Sequence, residues 1–180
     1  MTAIVSTFLD IDLGKGKYLF FLITMSDFES KLTEELDKQW PIFGEALGVN
    51  GTAIRSFSKK TNQTYDEVFQ KPWPLGIAAR MLKEQDPYML ITDTPFEEFD
   101  PNNHNWSIIW FSDFFKKSDL IYRVFGILAK KVADGEDIFH WTSSLSKKAG
   151  LAQHVEVKPG IFGVSLNMTP ALEKILGIDV

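Results

Sequence analysis

The sequence predicts an α+β protein: an N-terminal helical bundle, then a mixed domain in which helices pack a small antiparallel sheet. Three observations carry this expectation. Phe28, Leu32, Leu36 and Trp40 recur every four residues, the spacing of a single helix face. Past Asp86-Pro87 the pattern changes to short apolar runs, Tyr88 to Ile91 and Trp106 to Phe111, of strand length and composition. Leu120, Val124, Leu128 and Val132, joined by Ile121 and Phe125, then mark a helix over 118–132 able to cover a sheet. The expected division is 1–25 as a β-hairpin or an extension, 26–85 as the bundle and 86–180 as the α+β domain.

Taken in order, Tyr18-Leu-Phe-Phe-Leu-Ile-Thr24 is apolar but, at seven residues, too short to span a bilayer. Leu13-Gly14-Lys15-Gly16 before it reads as a hairpin turn. Met25-Ser-Asp-Phe-Glu29 opens a capped helix, so residues 1–24 have a second reading as an extension to a chain starting at Met25. Pro41 is expected to stop that helix and to begin a short one over 41–47. Gly48 sits where a helix end needs a left-handed residue. Asn50 is expected to cap a third helix over 51–60, with Ile54 and Phe57 inward. Thr64 and Glu67 form another capping box, Lys71-Pro-Trp-Pro74 is a rigid break, and Leu75, Ala78, Ala79 and Leu82 mark the next helix.

In the second half, Thr94 to Asn105 is polar and reads as a loop with one helical turn. Asp134-Gly135 closes the 118–132 helix, and a further helix is expected to run to Lys148. Val155 to Val157 and Ile161 to Leu166 flank the turn-like Lys158-Pro-Gly160, and Thr169-Pro170 opens a closing helix.

Composition narrows the chemistry. The chain has 180 residues, of which 44% are hydrophobic and 13% aromatic, enough to bury a substantial core. It has no cysteine, which removes disulfides, thiolate catalysis and cysteine-ligated zinc and suits a reducing cytoplasm. The net charge of −5 gives no overall attraction to nucleic acid or anionic lipid, so any such surface must be local. No membrane contact, cofactor or metal site is expected.

One segment has functional content. Gly44, Glu45, Ala46, Leu47, Gly48 and Val49, then Asn50 to Ala53 and Ile54, match a pattern of a small residue, two variable residues, Leu-Gly-Val, four variable residues and an apolar one. In this the segment 41–60 resembles the helix-turn-helix of bacterial repressor-type DNA-binding domains, over about 17 residues. The resemblance implies that Leu47, Val49, Ile54 and Phe57 lock two helices together. Thr52, Arg55, Ser56, Lys59 and Lys60 would then face outward, toward phosphates and base edges. Trp40, Leu47 and Ile54, spaced by seven, also resemble a death-domain-like bundle, which implies a protein-interaction or adaptor module binding through the same face. A regulatory, non-enzymatic protein with DNA or another protein as partner is the expectation.

Other candidates are weaker. Asp93, Glu97, Glu98, Asp100, His104 and Asp113 make an acidic run, and Asp100-x-Asn102 resembles the start of a calcium loop, but Asn105 and Phe111 stand where that loop needs Gly and Glu. His104, His140 and His154 lie in no catalytic motif, and Gly14-x-Gly16 lacks the rest of a nucleotide-binding loop. Trp106, Trp110 and Phe114, within the densest aromatic cluster, are a candidate ligand or docking patch, which with the acidic run makes a small-ligand or metal-dependent domain over 93–113 the third reading. No catalytic residue emerges.

Overall fold

The computed structural model describes residues 1–5, 7–9, 16–24, 31–56, 61–83, 87–111, 118–148 and 163–166. Along the chain these form β1 (Thr2–Val5), β2 (Tyr18–Ile23), α1 (Lys31–Ala46), β3 (Gly51–Ser56), α2 (Thr61–Phe69), α3 (Leu75–Lys83), β4 (Tyr88–Thr92), β5 (Trp106–Trp110), α4 (Ser118–Ala133), α5 (Ile138–Lys148) and β6 (Gly163–Leu166). The strands make one mixed sheet in the order β1-β3-β2-β4-β5-β6. β1, β2 and β3 are mutually parallel, β4 is antiparallel to both β2 and β5, and β6 runs parallel to β5.

This corrects the expected N-terminal helical bundle. Two strands precede the first helix, and the sheet takes strands from both sides of Asp86-Pro87. β1 and β2 are not a hairpin either: they run parallel, with β3 between them. The supposed hairpin turn at 13–15, the capping box at Ser26 and Glu29, Phe57, the 155–157 strand and the 169–170 helix start fall outside the described residues.

The strands alternate as a pleat requires, and each face has its own core. Tyr18, Phe20 and Leu22 of β2, Ala53, Met89, Ile91, Ile109 and Phe111 pack under α1, α4 and α5. Leu19, Phe21 and Ile23, Ile54, Tyr88, Leu90, Trp106, Ile108 and Trp110 pack under α2 and α3, sealed by Phe8, Phe96 and Phe99. The architecture is therefore helices, sheet, helices.

Two local expectations are overturned for physical reasons. Pro41 does not end α1, which runs through it. An internal proline forfeits one backbone hydrogen bond, a cost of about 3 kcal/mol. Continuing the helix seats Trp40, Phe43 and Leu47 in the core, and such residues contribute about 1.5–3 kcal/mol each. Gly51 to Ser56 is a strand, not a helix. Ala53 and Ile54 face opposite cores, and Thr52 and Ile54 are β-branched residues suited to a pleat. Gly48 does take the left-handed conformation after α1 (φ 60°), as does Gly135 after α4 (φ 73°).

Side-chain hydrogen bonds tie the layers. The Tyr18 hydroxyl donates to Glu136 O and accepts from Ile138 N, both at 3.4 Å, which pins the turn between α4 and α5 onto β2. Thr142 donates to helix carbonyls of α5, so the buried Ser107 hydroxyl of β5 donates to Thr142 Oγ1 at 2.8 Å.

Gly44 lets β1 approach α1. A Cβ there would overlap Thr2 Oγ1 and lie 3.0 Å from Thr2 Cβ and 3.2 Å from Ala53 Cβ, so rotating Thr2 does not make room. Gly44→Ala should lower unfolding free energy by about 1 kcal/mol net, overpacking outweighing the gain in helix propensity; unchanged urea midpoints would refute this. Tyr88 makes the opposite case. Its hydroxyl is buried without a partner among the described residues, and burial, then the nearby Tyr65, pushes its pKa well above the ordinary tyrosine value. Tyr88→Phe should leave thermal stability equal or raise it by up to about 1 kcal/mol, since no bond is lost and an unmet desolvation cost disappears. A clear loss of stability would reveal a partner for that hydroxyl.

Candidate functional site

Thr52 and Arg55, singled out by the helix-turn-helix resemblance, lie on a strand and not on an outward helical face. Thr52 is 4% exposed within β3, and β3 is hydrogen-bonded to strands on both sides. Arg55, on the same strand, is ion-paired with Asp37 of α1. Ser56 is the last residue of β3, and Lys59 and Lys60 lie outside the described residues. Val49, assigned to the helix–helix lock, is instead 87% exposed. Over 51–56 the expected recognition helix is thus corrected to a strand inside the sheet; 57–60 lie outside the described residues.

The aromatic patch is also core. The Trp106 indole donates to Pro101 O at 3.0 Å and meets the Trp73 ring edge-to-face at 5.2 Å. Trp110 is fully buried, with Tyr88 at 4.8 Å on one side and the Arg80 guanidinium 4.3 Å from its ring centre. Neither indole is available to a partner; Phe114 lies outside the described residues.

Of the acidic run, Asp93, Asp100 and His104 take part in structural hydrogen bonds, and Asp113 lies outside the described residues. The Asp100 carboxylate accepts from Asn102 N at 2.8 Å and from the Asn103 side-chain amide, while His104 Nδ1 accepts from Asp100 N at 3.0 Å. The Asn102 backbone donor, opposed next by desolvation and aided by the Asn103 and Asn102 amides, holds the Asp100 carboxyl below its usual pKa. Asn102 Nδ2 reaches Pro72 O at 3.0 Å, and Asn105 Nδ2 reaches Asp93 Oδ2 at 3.3 Å. Lys71 lies over the Phe96 ring at 4.8 Å, and burial draws its ammonium below the usual lysine pKa despite Asp100 and Glu97 nearby. Among the described residues no group of three or more His, Asp or Glu is arranged to hold a metal ion. His140 is exposed on α5, whose first turn is capped by Asp137 through Phe139 N and His140 N.

A concave feature lies elsewhere among the described residues, on the outer side of α1 and α4. A groove of about 410 Å³ is lined by Gln39, Ile42, Phe43 and Ala46 of α1 and by Tyr122, Arg123, Phe125, Gly126, Ile127 and Lys130 of α4. Its floor is the stacked pair Phe43 and Phe125, ring centres 4.6 Å apart with planes 24° from parallel. Ile42 (55% exposed) and Tyr122 (61%) stand up from it. The polar residues are at the rim: Gln39 donates to Glu35 at 3.0 Å, Lys130 pairs with Asp134, and Arg123 has no ion-pair partner among the described residues.

Gly126 gives the groove its depth. It sits in the middle of α4, where glycine costs about 1 kcal/mol relative to alanine. Nothing in the fold asks for it: its φ is not positive, and a Cβ built there meets no atom within 4 Å. Of the three described helical glycines, Gly44 answers to close backbone approach, while Gly76 of α3 and Gly126 both face open space.

Periodicity gave no warning of this groove. The inward stripes of α1 and α4 were plain, but Ile42, Tyr122 and Ile127 are merely extra apolar residues on faces expected to be polar, and that excess was the only available signal. Comparison with protein-family models, with curated proteins and with solved structures finds no match to this chain. No helix among the described residues is long and apolar enough to cross a membrane.

Because the site at 126 is empty space rather than a tight contact, Gly126→Ala should stabilise the fold by about 1 kcal/mol, read as a higher urea midpoint at constant slope. A loss of stability would mean that the glycine is required by the fold after all.

Proposed function

We propose that this protein is a non-catalytic protein-interaction module that receives an apolar helical ridge from a protein partner in the groove between α1 and α4. The observation that carries this reading is Gly126, a helix-weakening residue that no packing contact demands, set where a side chain would fill the groove. The rest agrees with it. The walls are exposed apolar residues and the floor is aromatic, while charges are confined to the rim, the arrangement of helix-in-groove recognition. From Tyr122 to Lys130 the groove follows α4 for about 12 Å, room for two anchor residues one turn apart. Covering Ile42 and Tyr122 supplies a few kcal/mol, at about 1.5–3 kcal/mol per large apolar side chain. An interaction module was also one reading of the sequence, there on a different surface and resting on a helical bundle that the fold does not contain.

The test uses 1-anilinonaphthalene-8-sulfonate, whose rings suit the floor and whose sulfonate suits Arg123. Dilute wild-type protein should enhance its emission several-fold, and Gly126→Leu should abolish the enhancement while melting no lower than wild type. Equal emission from the two folded proteins would remove the groove as a receptor and the proposed function with it.

A further inference from the structure

Resting on that reading, we infer that the ridge received by the groove is acidic: a helix of a protein partner that carries a carboxylate one turn from the apolar anchor seated at Gly126. The sign follows from what lines the groove. The chain as a whole is acidic, with a net charge of −5, yet the lining holds the cations Arg123 and Lys130 and no carboxylate. A binding surface whose local charge opposes that of the whole molecule favours partners of the opposite sign and suppresses the rest.

The two cations are not equivalent. They stand seven residues apart on α4, about 10.5 Å along its axis, so each serves one end of the groove. Lys130 is already matched by Asp134, one turn further along the chain. An exposed pair of that kind contributes little to stability, but it leaves its end of the groove electrically balanced. Arg123 has no ion-pair partner among the described residues. On α1, Glu35 accepts from Gln39, Asp37 is paired with Arg55, and Glu34 and Glu45 lie outside the lining. The uncompensated charge is therefore at the Tyr122 end. It is a guanidinium, whose planar fork takes a carboxylate through two parallel hydrogen bonds.

The distance from charge to hollow sets the pattern of the occupant. Arg123 and Gly126 are three residues apart, about 4.5 Å along α4. A helix lying along α4 meets both when its carboxylate and its first apolar anchor are three or four residues apart, the spacing that puts two side chains on one helix face. The second anchor follows one turn beyond, toward Lys130. Contact with the aromatic floor supplies affinity, while the guanidinium supplies direction and the choice of partner.

Two helical peptides with the same fluorescent label test the proposal. Each has two Leu one turn apart. One carries Glu a turn outside each Leu, so that either direction of binding presents a carboxylate to Arg123; its twin carries Lys there. Anisotropy at low ionic strength should show wild type binding the Glu peptide about fivefold more tightly than the Lys peptide, a preference that shrinks at high salt. Arg123→Glu should invert the preference, and folded Gly126→Leu should bind neither peptide. Equal affinities, or tighter binding of the Lys peptide, overturn the acidic ridge and leave the groove as a receptor for helices of another charge. If neither peptide binds, the acidic ridge also falls: a groove that still takes the dye then receives some other occupant, and one that does not removes the interaction reading too. A wild type that light scattering shows to dimerise through the groove, excluding both peptides, makes a second copy the occupant and equally overturns the proposal.

Discussion

Everything in this fold is organised by β2. All six of its side chains are buried, three on each face of the sheet. It is also where the sheet changes sense, parallel to β3 on one side and antiparallel to β4 on the other. A strand buried on both faces cannot tolerate a one-residue slip without exchanging its neighbours between two cores. Phe20 packs edge-on against Phe43 of α1 at 5.1 Å, and Phe21 sits within 5.5 Å of Phe96 on the opposite side. The helices above and below the sheet are thereby placed relative to one another through a single strand.

That constraint explains why α1 survives its proline. The helix must cross from the end of β2 to the start of β3 while lying on the parallel half of the sheet, and Trp40, Phe43 and Leu47 are its contact with that half. Ending it at Trp40 would leave the Phe20 and Ala53 side of the sheet uncovered. The closeness needed at the far end of α1 is met by Gly44, where β1 crosses. The same packing turns Gly51 to Ser56 into strand: β3 completes the pairing of β2 on the parallel side, and Ala53 is small enough to lie under α1.

Much of the second half was legible in the sequence. The expected stretches at 88–91, 106–111 and 118–132 correspond to β4, β5 and α4 with ends shifted by a residue, and the opposite facing of Trp106 and Ile109 follows from alternation alone. The first half was misread for one reason. Leu47, Ile54 and the glycines between them satisfy helix-turn-helix spacing and a βαβ crossover equally well, and only the non-local pairing of β3 with β1 and β2 separates the two. Long-range strand pairing leaves no mark in a window of that length. The site was still less legible, because a groove depends on which helices become neighbours. Phe43 and Phe125 are 82 positions apart by their numbering, and no local pattern announces that their rings stack.

Apolar exposure by itself does not single out the α1–α4 surface, since Val49, Leu75 and Leu82 are exposed as well. The difference lies in what surrounds each of them. Val49 belongs to the turn after Gly48, and Leu75 opens α3 directly after Pro74, positions where exposure follows from the chain reversing direction. Ile42 and Tyr122 stand in the middle of two regular helices, where a polar residue would serve packing equally well. They flank an aromatic floor and a glycine that the helix would be more stable without. Three departures from the ordinary solvent face of a helix thus fall within two turns of each other, while the cores beneath are closed. α3 carries comparable departures, Gly76 with open space at its Cβ and the exposed Leu75 and Leu82, so what sets the α1–α4 surface apart is the hollow itself and its aromatic floor.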